Sequence, residues 1–285
     1  MSRHLNSYPG LKQAWVIFAV FLAVSTAGGL ILGKIIDLAG IQSMSVGNFI
    51  AYNASLLFVI WFAWRYRRSD DDNRLYFKPV SVILYPLLIL FTISFAVFLD
   101  PLTNLIPMPE KIEKIFALLA KKDVWTFLMV GITGPILEET LFRGIILDGF
   151  LKRYKPGKAI FWSAFLFGLF HLNPWQFIPG FTIGLILGYI YYKTRSLIPV
   201  ILLHIVNNSF SYFIMYIYGE DVTSFADLFQ DKGDYFLFLG ISTAIAAGTL
   251  LLLFKILNKN PIQWTFNSET NYLSSPEQAA DSEKQ

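Results

Sequence analysis

The feature that most constrains this chain is a series of eight apolar segments. A helix needs about 20 apolar residues to span the hydrocarbon core of a bilayer, and only the fifth segment, which ends at Asn173-Pro174, is clearly shorter. Of the 285 residues, 55% are hydrophobic and 15% charged, whereas about a quarter are charged in a typical soluble domain. The sequence therefore predicts an all-α polytopic membrane bundle of about eight transmembrane helices. The segments run near 13–36, 46–64, 80–100, 124–151, 159–173, 176–192, 197–217 and 235–257.

Lysine and arginine are concentrated in the loops after the second, fourth and sixth segments, whereas those after the first, fifth and seventh contain almost none. Short loops rich in these residues stay in the cytoplasm. We therefore expect the even-numbered loops and both termini to be cytoplasmic. The basic residues concerned are Arg65, Arg67, Arg68, Arg74, Lys78, Lys152, Arg153, Lys155, Lys158, Lys193 and Arg195.

The distribution of apolar and polar residues predicts one membrane domain followed by a polar tail. Residues 1–257 are expected to form a single integral membrane domain, with the first apolar segment retained because it is longer than a signal-peptide core. Residues 258–285 are polar and are expected to form a disordered cytoplasmic tail. Among the loops expected outside, 111–122 is the exception in that it contains lysines. Its apolar residues recur at helical spacing and predict an amphipathic helix on the outer surface. The net charge of +3 gives no case for nucleic acid, and the absence of cysteine excludes disulfides and thiolate zinc sites.

Three charged residues interrupt the fourth apolar segment, in the stretch GPILEETLFRG. Glu139 and Arg143 are four apart, so on a helix they share a face and can neutralise each other. Glu138 points elsewhere and has no cation nearby in the sequence, although a charge at the bilayer centre costs about 2.5–3.5 kcal/mol. It should therefore face a wet cavity, where a carboxylate can act as a general base. A packing network or an ion path is the alternative. Pro135 is expected to kink the helix just before these residues.

Two of the three histidines also lie in predicted membrane helices. His171 follows Phe167 by four residues in FGLFH, and Asn208 follows His204 by four in HIVNN. A lone histidine in a helix is more often a hydrogen-bonded core residue than a catalytic one, and an asparagine in a membrane helix usually serves to hold two helices together. Together with Glu138, however, they supply a base, an imidazole and side-chain donors, which are the groups needed to attack an amide and stabilise an oxyanion. A zinc site built from a glutamate and two histidines is left open.

The motifs EETLFR, FGLFH and HIVNN, in that order, resemble the EExxxR, FxxxH and HxxxN signature of the CAAX protease and bacteriocin-processing family, also called the abortive infection family. The resemblance covers roughly residues 124–217. It implies an eight-helix intramembrane endopeptidase that acts on a peptide or protein substrate. Some members cut prenylated CAAX proteins and others are linked to bacteriocin maturation or self-immunity, so lipidation of the substrate is left open.

By the same resemblance, Glu138 would activate water with help from His171. His204 and Asn208 would form the oxyanion hole. Glu139 and Arg143 would be structural, and Phe167 would pack beside the site. The family has been described both as metalloproteases and as metal-independent glutamate proteases. The residues here favour chemistry without a metal or other cofactor, because Glu138 with His171 fits the role of base, and His204 with Asn208 fits that of oxyanion donors, without a further ligand. A metalloprotease-like zinc site stays the alternative.

Two other functions are weighed against proteolysis. The first is a non-catalytic membrane scaffold or immunity-type partner protein, in which the motif residues only hold the bundle together. The second is a transporter or channel with Glu138 in an ion path. It is less favoured, since the chain shows neither an inverted repeat nor paired broken helices.

Overall fold

The computed structural model describes residues 7–38, 40, 43–66, 74–112, 114, 121–219 and 224–259. Over this part the chain is helical and contains no β-strand. Eight helical stretches follow one another, each overlapping one predicted apolar segment, with boundaries that differ by a few residues. They are α1 (Leu11–Leu38), α2 (Met44–Arg65), α3 (Leu84–Thr103), α4 (124–151), α5 (Pro156–Phe170), α6 (Pro174–Thr194), α7 (Leu197–Tyr218) and α8 (Lys232–Leu257).

Five of these helices, α1, α2, α3, α7 and α8, are long and apolar enough to cross a membrane by length and composition. They also expose large apolar side chains, such as Leu30 at 71%, Trp61 at 58% and Leu251 at 68%. Water disfavours so many exposed apolar groups, whereas lipid accommodates them, and helices satisfy their own backbone polar groups there. The chain is therefore an integral membrane protein built as a polytopic helical bundle.

Among the other three helices, α4, α5 and α6, helix α4 is central and carries the buried charged residues Glu138, Glu139 and Arg143. Every residue from 141 to 151 in the second half of α4 is buried, as expected for a helix that is enclosed on all sides. Helix α4 packs against α2, α5 and α7, while α1 pairs with α2 and α3 with α8. The outer pairs thus shield a central helix that would be too polar to face lipid alone.

Helix α4 departs twice from α-helical hydrogen bonding. Leu128–Thr133 and Thr140–Leu147 are π-helical, and the α-helical segment Gly134–Glu139 lies between them. The amide of Gly134 donates to the carbonyl of Met129, five residues earlier. Pro135 stands at the start of the intervening α-helical segment. The interruption expected at Pro135 thus takes the form of a wider turn before the proline, and π turns occur frequently at functional sites.

Helices α5 and α6 form a close antiparallel hairpin. A Cβ atom at Gly184 would lie 3.1 Å from the Cα of Ala164, so a larger residue there would push the two helices apart by a few tenths of an ångström. The connecting turn is short, because α5 ends at Phe170 and the Asn173 side chain caps α6 by accepting from the Gln176 amide. Leu172 adopts φ +58° in this turn, a conformation that is unfavourable for leucine. His171 is therefore held at a strained and short connection.

Several predictions fall outside the described residues. They include most of the amphipathic helix expected at 111–122, of which Ile115, Phe116 and Leu119 lie outside, and all of the tail beyond residue 259. The single-domain assignment of 1–257 and the cytoplasmic placement of the termini stay predictions.

Candidate functional site

The ion pair expected between Glu139 and Arg143 is present at the centre of the bundle. Arg143 Nη1 donates to Glu139 Oε1 at 2.8 Å, and both side chains are fully buried. Arg143 Nη2 also donates to the carbonyl of Gly184 on α6, at 3.3 Å. The guanidinium carbon lies 4.4 Å from the ring centroid of Phe167, a stacking that favours a cation. Arg143 therefore ties α4 to both helices of the α5–α6 hairpin.

His204 connects the two carboxylates of α4. Its Nδ1 donates to Glu139 Oε1 at 2.8 Å, and its Nε2 lies 3.8 Å from Glu138 Oε2. The imidazole is 3% exposed. A carboxylate can only accept a hydrogen bond, so Nδ1 carries a hydrogen and Nε2 is the nitrogen left to face Glu138 and the cavity. This contact between α4 and α7 is not evident from the sequence, where the two residues are 65 positions apart.

Glu138 has a partner that the sequence analysis missed. The hydroxyl of Tyr52, in the middle of α2, donates to Glu138 Oε1. Glu138 Oε2 has no hydrogen-bond partner among the described residues. Tyr52 lies outside the motif-bearing range, and a single tyrosine in an apolar helix carries little signal. The sequence signal for a polar contact at this depth is the cluster of polar residues Tyr52, Asn53 and Ser55 in a largely apolar helix.

Phe167 and His171 lie on one face of the end of α5, as their spacing predicts. The two rings are edge to face with centroids 5.4 Å apart, and the Phe167 ring is equally close to His204, at 5.5 Å. His171 Nδ1 donates to the Phe167 carbonyl at 3.1 Å. In the neutral imidazole this leaves Nε2 with a lone pair that can accept a proton.

Asn208 lies one turn beyond His204 on α7, on the same face. Its amide nitrogen donates to the carbonyl of Val130 at 3.0 Å, within the first π-helical segment of α4. Asn207 donates to the side-chain oxygen of Asn208 at 3.1 Å. An amide nitrogen carries two hydrogens, and the described contacts of Asn208 occupy one of them.

A cavity of about 360 Å³ lies beside these residues. Phe167, His171, His204 and Asn208 line it, whereas Glu138 does not. Glu138 was expected to face a wet cavity directly. Instead it is 6% exposed and adjoins the inner end of the cavity through His204. All seven predicted site residues thus lie around one centre. Phe167, His171, His204 and Asn208 are on the wall of the cavity, and Glu138, Glu139 and Arg143 are buried behind them.

The same residues can be tested for a metal site. A catalytic zinc ion takes three protein ligands at about 2.0–2.2 Å. No group of three or more histidine, aspartate or glutamate side chains in the described part of the chain is arranged to hold an ion. Glu138 and His204 could supply two ligands, whereas His171 makes no described contact with either of them, and Glu139 lies on the Nδ1 side of His204. The zinc site considered for Glu138, His171 and His204 stays an alternative to the metal-free site.

The chain is similar to a known protein family and to one known membrane protease. The model of a family described as type II CAAX prenyl endopeptidase, Rce1-like, matches residues 120–210. The membrane-embedded CAAX protease MroQ of Staphylococcus aureus (strain USA300) is 26% identical over 146 residues. That alignment covers 49% of this chain and 58% of MroQ, so the chain spans little more than half the length of this relative. No solved structure matches the chain significantly. The family match and the site residues fall on the same part of the chain.

Proposed function

Since this chain belongs to the CAAX protease and bacteriocin-processing family, we propose that it is an intramembrane endopeptidase that hydrolyses a peptide bond with water activated by Glu138. The observation that carries the proposal is the contact of His204 with both carboxylates at the inner end of a cavity. Nδ1 of His204 is 2.8 Å from Glu139 and Nε2 is 3.8 Å from Glu138.

The first step requires a base next to bound water. Glu138 Oε1 is held by Tyr52, so Oε2 is the oxygen that takes a proton from water. His171 Nε2, on the cavity wall, assists as a second proton acceptor. The oxygen of this water then attacks the carbonyl carbon of the substrate, and the proton passes to the leaving amine when the carbon–nitrogen bond breaks.

The second step requires hydrogen-bond donors for the oxyanion. The free N–H of Asn208 is one donor. His204 Nε2 can be the second only if it also carries a hydrogen. Charge balance supports that state, because the carboxylates of Glu138 and Glu139 face only one guanidinium, and a buried uncompensated charge is costly. One added proton on His204 makes this buried group of charges neutral and leaves Glu138 ionised, as a base must be.

The substrate in this proposal is a peptide or protein at the lipid bilayer, with or without a lipid group. We propose a mechanism without a cofactor, because Glu138 with His171 fits the role of base, and His204 with Asn208 fits that of oxyanion donors, without a further ligand. A strong chelator should therefore leave cleavage unchanged.

The test is cleavage of a quenched peptide library, including prenylated CAAX peptides, by detergent-purified wild type and Glu138→Gln. We expect the variant to lose cleavage by more than 100-fold while keeping its thermal unfolding midpoint, since the amide retains the shape but cannot accept the proton. Glu110→Gln is the matched control, because Glu110 is exposed and is not among the residues that line the cavity.

Full activity in Glu138→Gln would overturn the mechanism. Activity that is lost with chelator and restored by zinc would instead make His171 and His204 metal ligands. A wild-type protein that cleaves no peptide, with a phenotype that survives Glu138→Gln, would favour the non-catalytic scaffold.

A further inference from the structure

The cavity has a buried end and an exposed end. At the inner end are Phe167 and His204, which are 1% and 3% exposed. At the other end are the exposed residues Gln176 and Ser211. Ser211 is seven residues beyond His204 on α7, which places it about 10 Å further along the helix axis. The cavity therefore leads from the centre of the bundle toward one face of it.

That face is identified by the helix ends around the mouth of the cavity. Gln176 is in the first turn of α6, and Thr126, which also lines the cavity, is in the first turn of α4. Trp175 Nε1 donates to the carbonyl of Ile106, in the connection after α3. The mouth thus lies on the side of the connections that follow α3, α5 and α7.

The opposite side carries most of the basic connections. The connections after α2, α4 and α6 all end on that side, and each contains lysine or arginine, including Arg74, Lys152 and Arg195. On the cavity side, basic residues are concentrated in the single connection between α3 and α4. Because basic loops remain in the cytoplasm, the cavity faces away from the cytoplasm.

The walls indicate what the cavity can take. The described residues that line it include no lysine, arginine, aspartate or glutamate. They combine apolar groups such as Leu99 and Ile183 with the uncharged donors and acceptors of Asn207, Asn208 and Gln176. Apart from His171 and His204, which the proposed mechanism already uses, no described wall residue could pair with a charged side chain, whereas a peptide backbone could pair with the amides. A volume of about 360 Å³ is at the small end of ligand pockets, so it admits a short extended segment.

We infer that the cavity takes an extended, uncharged stretch of a polypeptide that reaches it from the extracytoplasmic face of the membrane. This inference rests on the proposed function for the cleavage of that stretch, but the route of entry can be tested without any activity.

The natural chain has no cysteine, so single cysteines report accessibility directly. Ser211→Cys and Gln176→Cys sample the mouth of the cavity. Leu105→Cys, 72% exposed after α3, is the control on the cavity side. Gly157→Cys, at an open position at the start of α5, is the control on the opposite side. Intact cells and inverted vesicles are treated with a membrane-impermeant maleimide. We expect Ser211→Cys, Gln176→Cys and Leu105→Cys to be labelled in cells and Gly157→Cys only in inverted vesicles.

Labelling of Ser211→Cys and Gln176→Cys only in inverted vesicles would overturn the inference. A lack of labelling from either side would also overturn it, provided that the denatured protein reacts fully.

The chemistry of the stretch is tested with peptides that differ by one aspartate or lysine beside the scissile bond. We expect kcat/KM to fall at least 10-fold, and equal cleavage would contradict an uncharged stretch. If Glu138→Gln disproves the mechanism, the labelling result still decides the side of entry.

Discussion

Glu139 is fully buried, and one of its oxygens accepts hydrogen bonds from both Arg143 and His204. The pair with Arg143 has the spacing of an ordinary surface pair on a helix, but neither side chain is exposed. The same i,i+4 spacing joins Glu110 and Lys114 at 2.6 Å, with side chains that are 79% and 72% exposed. The chain thus contains one buried and one exposed pair of a glutamate with a basic residue four positions later.

Glu139→Gln should destabilise the protein by about 3 kcal/mol or more, because Arg143 would remain buried with its charge uncompensated. Glu110→Gln should cost less than about 1 kcal/mol, as exposed pairs do. Unfolding in detergent, followed by thermal midpoint, measures both. Equal midpoints for the two variants would show that burial does not set the strength of the pair at Glu139.

Tyr52→Phe removes one hydroxyl and its hydrogen bond to Glu138 Oε1. Hydrogen bonds to charged groups contribute about 1.5–3 kcal/mol, so we expect kcat to fall about 10-fold or more. KM should change little, since Tyr52 is not among the residues lining the cavity. Tyr66→Phe, at the exposed end of the same helix, is the control. A change in KM with kcat intact would assign Tyr52 to substrate binding instead.

At the scale of elements, the start of α4 joins three helices. Asp123 caps α4 by accepting from the amides of Trp125 and Thr126, each at 2.9 Å. The same carboxylate accepts from Ser45 at the start of α2. The hydroxyl of Tyr212 on α7 donates to the Asp123 carbonyl at 2.9 Å. This junction therefore fixes the relative positions of the helices that carry Tyr52, Glu138 and His204.

Burial acts to raise the pKa of Asp123, but the hydrogen bonds from Ser45, Thr126 and Trp125 outweigh it, and the pKa is lowered. A lowered carboxyl pKa stabilises the fold above the unfolded value of about 3.9 and loses that contribution as the pH falls through the folded value. Asp123→Asn keeps a capping side chain without this titration. The wild-type unfolding midpoint should therefore fall more steeply than that of Asp123→Asn between about pH 5 and pH 3. Parallel curves would contradict a contribution from the Asp123 charge.

For the molecule as a whole, the helix order follows from hydropathy, because each apolar segment overlaps one observed helix. The local pairs of the site, Glu139 with Arg143 and Phe167 with His171, follow from the spacing of four residues on a helix. The contacts of Tyr52 and His204 with α4 could not be predicted from spacing, because they depend on how separate helices pack. Neither could the hydrogen-bond pattern of α4, since the π turns there follow from its packing and leave no periodic signal in the sequence.

The two π-helical segments of α4 also affect how this chain should be aligned with its relatives. A π turn accommodates one more residue than an α turn, so deleting one residue within Leu128–Thr133 or Thr140–Leu147 can restore a regular helix with the flanking faces unchanged. A one-residue gap at either place in an alignment then reflects a difference in helix winding. The glutamates and the arginine of a relative should therefore be matched by the helix face on which they lie, and not by the number of residues between them.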